Sequence, residues 1–214
     1  MLDSYRGHRL HLTLNTLITI LLVAAIIFLG AEVFTHGRRP KLSEVSHRVD
    51  PVRMRTIVAR INLVSPKVSK GDAFEYARVI SMQPQYVQPV CMALLERESS
   101  PGYIIKAVGA AGERGGMQLL PGTIQVLTRW VEFSSKEIAE TIEGNTVGGL
   151  MWWQMHYASY GNIAKASSGY NGVPKGGPFP TEYGMDISQR AKAISVWLDS
   201  ADAAQLSSFN SQTR

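Results

Sequence analysis

Twenty consecutive residues near the N-terminus, Leu12 to Ala31, carry no charge and are mainly Leu, Ile, Val and Ala. At about 1.5 Å per helical residue, such a run spans roughly 30 Å, the thickness of the hydrocarbon core of a bilayer. The stretch from Thr16 to Ala31 also lacks a polar face, which disfavours a buried helix of a soluble domain. The run therefore predicts a single transmembrane helix, preceded by a short N-terminal tail at residues 1–11. The alternative is a cleaved signal peptide, although the run is long for one and the cleavage site after it is poor.

The positive charge of the chain is concentrated just after this run. The net charge is +5, and residues 33–66 account for all of it with seven basic and two acidic side chains. Residues 67–200 contain twelve basic and twelve acidic side chains and are neutral overall. Basic residues next to a hydrophobic span usually meet lipid head groups. We therefore expect a lipid bilayer as a partner, through residues 12–31, and no nucleic acid.

Composition divides the rest of the chain into three parts. Residues 32–66 contain three prolines and the basic excess, and they predict a basic tether with a short amphipathic helix at Met54 to Leu63. Residues 67–200 predict one folded domain. Residues 201–214 predict a C-terminal tail.

Helix signals dominate the predicted domain. Apolar residues recur at helical spacing, whereas strict apolar-polar alternation is scarce. Pro84 ends one helix, and Pro89 suits the first turn of the next, where its missing amide has no partner to lose. Ser134 and Glu137 form a capping-box pattern. The sequence predicts a mostly α domain with helices at Asp72–Met82, 89–98, Thr146–Tyr160 (the longest, ended by Gly161), Asn162 through Ser168, and Ile187–Asp199.

Residue types that hold metals and cofactors are sparse. Cys91 is the only cysteine, which excludes an internal disulfide and a cysteine-rich metal site. The five histidines are scattered, and only His8 and His11 have helical spacing, in the N-terminal tail. The glycines from Gly109 to Gly115 do not form a nucleotide loop, because no strand precedes them and no Gly-Lys-Ser/Thr follows. We expect no metal and no cofactor.

Two glutamates at the end of one predicted helix are candidates for a catalytic acid. Glu98 follows Leu94 by four residues and Cys91 by seven, so it lies on the apolar stripe of that helix. Glu96 lies nearly opposite, beside Arg97, on the side expected to be wetter. A carboxyl group at the end of an apolar stripe loses hydration, and its pKa rises, which keeps a proton available for donation. Glu98 is therefore the preferred acid.

Four blocks follow one another in a fixed order along the predicted domain. They are Glu98-Ser99, GERGGMQLLPGT at Gly112 to Thr123, NTVGGLMWWQMHYASY at Asn145 to Tyr160, and GYNGVP at Gly169 to Pro174. They resemble the core motifs of soluble-type lytic transglycosylases, a family with a lysozyme-like fold. The family has a catalytic Glu followed by Ser, a glycine-rich Met-Gln turn, a segment that enters a long helix, and a Tyr-Asn motif. The resemblance covers about residues 66–200.

The resemblance implies a role for each matching residue. It implies that Glu98 is catalytic and that Gly112 and Gly115 shape a structural turn. The chain departs from the family pattern at Gly109, where Ser is usual, at Gly116, and at Gly172-Val173 before the last proline. The spacing from Glu98 to the turn is also slightly longer than in the family. The implied substrate-binding residues are Ser99, Met117, Gln118, Tyr170 and Asn171.

The resemblance implies a reaction that needs only one carboxyl group. The family cleaves peptidoglycan between N-acetylmuramic acid and N-acetylglucosamine. Glu98 would protonate the leaving oxygen and then, as a base, take the proton of the C6 hydroxyl of the same sugar. The product would be a 1,6-anhydro sugar, formed without water.

Two other functions stay open on the sequence. A hydrolytic lysozyme on the same fold would need a second carboxylate to activate water. Glu113, Glu182 and Asp186 are the candidates, although Arg114 beside Glu113 favours an exposed side chain at that position. A non-catalytic module that binds the wall or assists assembly would keep the fold without the chemistry.

The charges beside the predicted span leave its orientation open. Arg6 and Arg9 precede the span, and the positive-inside tendency would keep the more basic C-terminal side in the cytoplasm. A wall-cleaving domain must instead face the wall, and long domains can be translocated despite such a bias. We expect the domain on the periplasmic side of an inner membrane or on a virion membrane, with secretion-apparatus or virion proteins as further partners. The basic residues after the span are Arg38, Arg39, Lys41 and Arg48.

Overall fold

The computed structural model describes residues 49–99, 102–172 and 178–212. Within these ranges the chain forms eight helices and no regular strand, which confirms the predicted mostly α class. No helix in them is long and apolar enough to cross a bilayer, and the predicted span at residues 12–31 lies outside them. The helices are α1 (Pro51–Val64), α2 (Lys70–Ser81), α3 (Gln88–Glu98), α4 (Pro121–Leu127), α5 (Ser135–Glu140), α6 (Ile142–Tyr160), α7 (Ile163–Tyr170) and α8 (Glu182–Gln212).

Helix α3 runs through the hydrophobic core. Every residue from Gln88 to Leu95 is buried, so this part of the helix has no solvent face. Pro89 lies in the first turn, as predicted. Helices α2 and α8 pack against α3. The last turn of α3 carries Glu96 and Glu98, and its end reaches the surface at Glu98, which lines an open cleft.

Helix α1 belongs to the folded body, which corrects the predicted boundary of the tether. Ile57 and Ile61, one helical turn apart, are fully buried, and α1 packs against α2 and α8. The body therefore includes residues from Pro51 onward rather than from residue 67. The basic charge of this segment suggested a tether, but two of its arginines, Arg53 and Arg60, pair with acidic residues of the body. Arg53 pairs with Asp202 at 3.0 Å, for example.

Helix α8 is longer than predicted at both ends. It covers Glu182–Gln212, so it rather than α6 is the longest helix in the described residues, and much of the predicted C-terminal tail is helical. The apolar stripe that suggested Ile187–Asp199 is buried as expected, from Ile187 to Leu198. Beyond this stripe the helix is held by a polar contact, because the Thr56 hydroxyl donates to Asp202 at 2.6 Å.

The predicted helix ends are confirmed where local chemistry defines them. Ser134 and Glu137 form both hydrogen bonds of a capping box at the start of α5. Gly161 ends α6 with a φ of 62°, a left-handed conformation that glycine adopts without strain. Asn162 accepts a hydrogen bond from the amide of Lys165 and so caps α7.

Candidate active site

An open cleft of about 870 Å³ lies between the end of α3 and the beginning of α8. Glu98 and Asn171 line it, together with the first turns of α8 from Glu182 to Arg190. Two of the residues implied by the resemblance therefore face the same cleft, although they are far apart in sequence. The cleft is where a long polymer could reach Glu98 from solvent.

Glu98 combines partial burial with a neutral hydrogen-bond donor. The Tyr183 hydroxyl donates to Glu98 Oε1. Burial raises the pKa of the Glu98 carboxyl group, while the Tyr183 hydrogen bond and the nearby Arg97 act to lower it and Glu113 acts to raise it. The net shift of the pKa is upward, because the loss of hydration is the largest effect. The carboxyl group thus keeps its proton to higher pH than an ordinary glutamic acid.

Glu96 is not on a wetter side of α3, which corrects the sequence prediction. Its side chain is only 7% exposed. Both carboxylate oxygens accept hydrogen bonds from the Arg60 guanidinium of α1, each at 3.0 Å. The helical geometry placed Glu96 opposite Glu98, as expected, but that side is covered by α1 rather than by solvent.

Asp186 is bound by two guanidinium groups. Arg190 donates to it at 2.9 Å, one turn away on α8. Arg97 of α3 lies 3.3 Å from its carboxylate and about 5.9 Å from the centre of the Tyr183 ring. Asp186 was a candidate for activating water, but in this arrangement it links α3 to α8 and holds Arg97 over Tyr183.

The glycine-rich turn is held by two residues of α6. The Asn145 side chain accepts from the amide of Met117 at 2.8 Å and donates to the carbonyls of Arg114 and Ile138. Gly149, one helical turn later, leaves room for Met117, because a Cβ atom there would lie 2.7 Å from its side chain. The spacing Asn145-x-x-x-Gly149 therefore has a physical reason, since both residues face the turn from one side of α6.

Gly112 and Gly115 both have backbone angles that other residues rarely adopt. Their φ angles are 84° and 75°. At Gly115 a side chain would also overlap Asn145, because a Cβ atom would lie 2.4 Å from its amide group. The close approach of Asn145 to the turn requires glycine at this position.

Gln118 is a non-glycine residue in the left-handed region. Its φ is 45°, a conformation that costs of the order of 1 kcal/mol for an ordinary side chain. The side-chain amide Nε2 donates to the carbonyl of Gly115 at 2.7 Å, which fixes the orientation of the amide. Gln118 is half-buried, so its amide oxygen can meet a ligand. Strain of this kind persists where the surrounding structure imposes it, here through the bond of the side chain to the Gly115 carbonyl.

The other implied binding residues support the site from inside. Ser99 is buried, donates to the carbonyl of Leu95 at 3.2 Å and accepts from the amide of Ile104 at 3.2 Å. Met117 is fully buried, so its side chain packs in the core and does not line the cleft. The Tyr170 hydroxyl donates to the Met117 carbonyl at 2.5 Å, which ties the end of α7 to the turn. The oxygen of that hydroxyl can still accept a hydrogen bond from a ligand.

Sequence reasoning missed Tyr183 as a partner of Glu98. A signal was present, because Tyr183 precedes Ile187 by four residues and so extends the buried stripe of α8. The prediction began that helix at Ile187 and left Tyr183 outside it. The hydrogen bonds between the Asn145 side chain and the glycine-rich turn were also missed. Sequence spacing alone does not show which backbone groups a buried side-chain amide will contact.

Comparison with known proteins found no match to this chain among family models, curated proteins or solved structures. Within residues 49–99, 102–172 and 178–212, no group of three or more His, Cys, Asp or Glu side chains is arranged to hold a metal ion.

Proposed function

We propose that this chain is a peptidoglycan lytic transglycosylase with a lysozyme-like fold. One observation carries the proposal: the partly buried Glu98 faces an open cleft, has a raised pKa and accepts its hydrogen bond from a neutral phenol. A carboxyl group of this kind suits general acid catalysis at a glycosidic oxygen. The ordered motifs that resemble the family support the same function.

The proposed reaction uses Glu98 twice. In the first step Glu98 donates its proton to the oxygen that links N-acetylmuramic acid to N-acetylglucosamine, and the bond from that oxygen to the anomeric carbon breaks. The acetamido group of the muramic acid stabilises the positive charge that develops there. In the second step Glu98 takes the proton of the C6 hydroxyl, whose oxygen bonds to the anomeric carbon. Glu98 thus regains the proton that it donated in the first step, and no water is consumed.

The site also supports a second candidate function, hydrolysis by a lysozyme-like mechanism. Glu113 lies close enough to Glu98 to raise the pKa of its carboxyl group, so the site contains a second carboxylate. A second carboxylate could activate water in place of the C6 hydroxyl. The product then carries a reducing end rather than a 1,6-anhydro ring.

The placement of the domain follows from the proposed substrate. Peptidoglycan lies outside the cytoplasmic membrane, so we propose that the domain faces the wall. Residues 12–31 would anchor it in an inner or virion membrane. Such an enzyme would open the wall locally, for a secretion apparatus, during phage infection or in wall remodelling.

The test is mass spectrometry of purified peptidoglycan treated with the full-length chain. The Glu98→Gln variant is measured beside it, and Glu96→Gln is the control for a neighbouring carboxylate. We expect anhydro-muropeptides from the wild type and the control but not from Glu98→Gln. Products with reducing ends would establish the hydrolase instead. Intact glycan from folded wild-type protein would contradict both.

A further inference from the structure

Gly109 lies where two side-chain oxygen atoms converge. A Cβ atom at this position would be 2.2 Å from Glu113 Oε2 and 2.8 Å from Gln118 Oε1. These separations are shorter than any real carbon–oxygen contact, so the two side chains pack over the glycine only because it has no side chain. Glu113 was expected to extend into solvent beside Arg114, but it is half-buried.

Both oxygen atoms are held in place by the backbone of the turn. The amide of Ala111 donates to Glu113 Oε2 at 2.9 Å. Gln118 Nε2 donates to the carbonyl of Gly115, which can only accept, so the Oε1 atom must be the one that faces Gly109. Two acceptors, one of them from a carboxylate, are therefore presented side by side.

This pair of acceptors lies near the end of α3. Gly116, in the same turn, contacts the last turns of that helix, because a Cβ atom on it would be 2.9 Å from Leu95 Cδ2. The charged and titratable groups that act on the pKa of Glu98 are Tyr183 from α8, Arg97 from its own helix and Glu113 from the turn. Glu98 in turn raises the pKa of the buried Tyr170 of α7. Glu113 of the turn therefore raises the pKa of the Glu98 carboxyl group, whereas the hydrogen bond from Tyr183 of α8 lowers it.

We propose that Glu113 and Gln118 together bind a hydrogen-bond donor of an N-acetylated amino sugar, an acetamido N–H or a ring hydroxyl, next to Glu98. The inference rests on the proposed function, and it adds Glu113 as a specificity-determining residue. Two neighbouring acceptors cannot bond to each other, so a donor between them satisfies both. A carboxylate oxygen also forms a stronger hydrogen bond than a neutral acceptor.

Binding measurements test the pair without requiring cleavage. Isothermal titration calorimetry measures the affinity of the full-length Glu98→Gln protein for a soluble hexamer of N-acetylglucosamine. This variant keeps the sugar intact during the measurement. We expect Glu113→Ala in this background to weaken binding about tenfold, the loss expected for a hydrogen bond to a charged group. The control is Glu132→Ala, which removes an exposed carboxylate elsewhere, and its affinity should not change.

A second substitution tests the geometry itself. Gly109→Ala places a methyl group where the Glu113 carboxylate lies, so it should weaken binding in the parent protein. In the Glu113→Ala background the same change should have a smaller effect, because only its overlap with Gln118 Oε1 remains. The proposed acceptor pair would be overturned if Gly109→Ala weakened binding equally with and without Glu113. It would also be overturned if Glu113→Ala left the affinity for the hexamer unchanged.

The outcomes separate this inference from the proposed function. Wild-type protein that leaves peptidoglycan intact, while Glu98→Gln binds the hexamer through Glu113, would refute the cleavage and keep the acceptor pair. Cleavage of peptidoglycan with no loss of binding in Glu113→Ala would keep the function and refute the pair. A Glu98→Gln protein that does not bind the hexamer at all would refute the pair.

Discussion

The two sides of the last turn of α3 show two ways of burying a carboxyl group. Toward α1, Glu96 accepts two hydrogen bonds from the Arg60 guanidinium, so a positive charge balances it. Toward α8, Glu98 accepts a hydrogen bond from the neutral Tyr183, and its pKa is raised. The two residues are two positions apart, and of the two it is Glu98 that lines the open cleft.

The two carboxyl groups differ in whether a positive charge is bound to them, and not in how deeply they are buried. The Glu96 side chain is only 7% exposed, so the depth of burial does not distinguish Glu98 from it. A guanidinium partner favours the charged form and fits a structural link between helices. The Tyr183 phenol donates one hydrogen bond to Glu98 but supplies no positive charge. The loss of hydration therefore has the larger effect on the Glu98 pKa, and that pKa rises.

The largest expected effect is on cleavage. Glu98→Gln removes the proton donor and keeps the shape of the side chain, so the rate should fall by about a thousandfold, within the usual range for general acid catalysis. Glu96→Gln should keep the rate within about threefold, because Glu96 faces α1 and not the cleft. The release of soluble muropeptides measures both. A similar loss in the two variants would break the contrast between the carboxyl groups.

The second largest expected effect is on stability and concerns the Arg60–Glu96 ion pair, on the side of α3 that faces α1. Arg60→Ala leaves the largely buried Glu96 without its partner, and the free energy of unfolding should fall by about 2 kcal/mol, less than for a fully buried pair because Arg60 is partly exposed. Denaturant unfolding measures it, with Arg129→Ala as a control at an exposed arginine. The cleavage rate per folded molecule should not change. Loss of catalysis in a folded Arg60→Ala protein would show that the two sides are not independent.

A smaller effect concerns the hydrogen bond of the acid. Tyr183→Phe removes a donor that lowers the pKa of Glu98, so this pKa should rise further. Because the acid must be protonated to react, the alkaline limb of kcat/KM should move to higher pH. The maximal rate should fall about tenfold, since the carboxyl group loses its orientation. Tyr160→Phe, at an exposed tyrosine, is the matched control and should leave the profile unchanged. A shift of the alkaline limb to lower pH would refute the assignment.

The smallest effect is on stability as a function of pH. The pKa of Glu98 is higher in the folded state than in an ordinary glutamic acid, so its proton stabilises the fold at low pH. This contribution is present below the unfolded pKa and is lost as the pH rises through the folded pKa. Glu98→Gln should therefore melt at a higher temperature than the wild type at pH 7, with a smaller difference at pH 4. Equal differences at both pH values would mean that the carboxyl group keeps its ordinary pKa.

The sequence predicted features that depend on neighbours along the chain. The mostly α class, the capping box at Ser134 and the C-cap at Gly161 all follow from local hydrogen bonds and local backbone angles. The position of Glu98 at the end of an apolar stripe was predicted for the same reason. Each of these needs only the spacing of a few residues within one helix.

The features that were missed depend on which helices meet. The helical geometry gave the angle between Glu96 and Glu98, but it could not show that α1 covers one and α8 the other. The bond from Tyr183 to Glu98 joins residues 85 positions apart, so no local pattern encodes it. Glu113 was expected to be solvated because Arg114 follows it, whereas its position depends on the free space over Gly109.

The most direct test of this account is a titration of Glu98 itself. Glutamate labelled with ¹³C at the side-chain carboxyl group gives one signal for each residue in an NMR spectrum of the full-length chain. The signals of Glu96 and Glu98 are assigned with the two Gln variants. The account predicts that the pKa of Glu98 lies above the ordinary value of a glutamic acid and falls when Glu113 is replaced by Gln. A Glu98 pKa at or below the ordinary value would contradict the claim that burial raises the pKa of this carboxyl group.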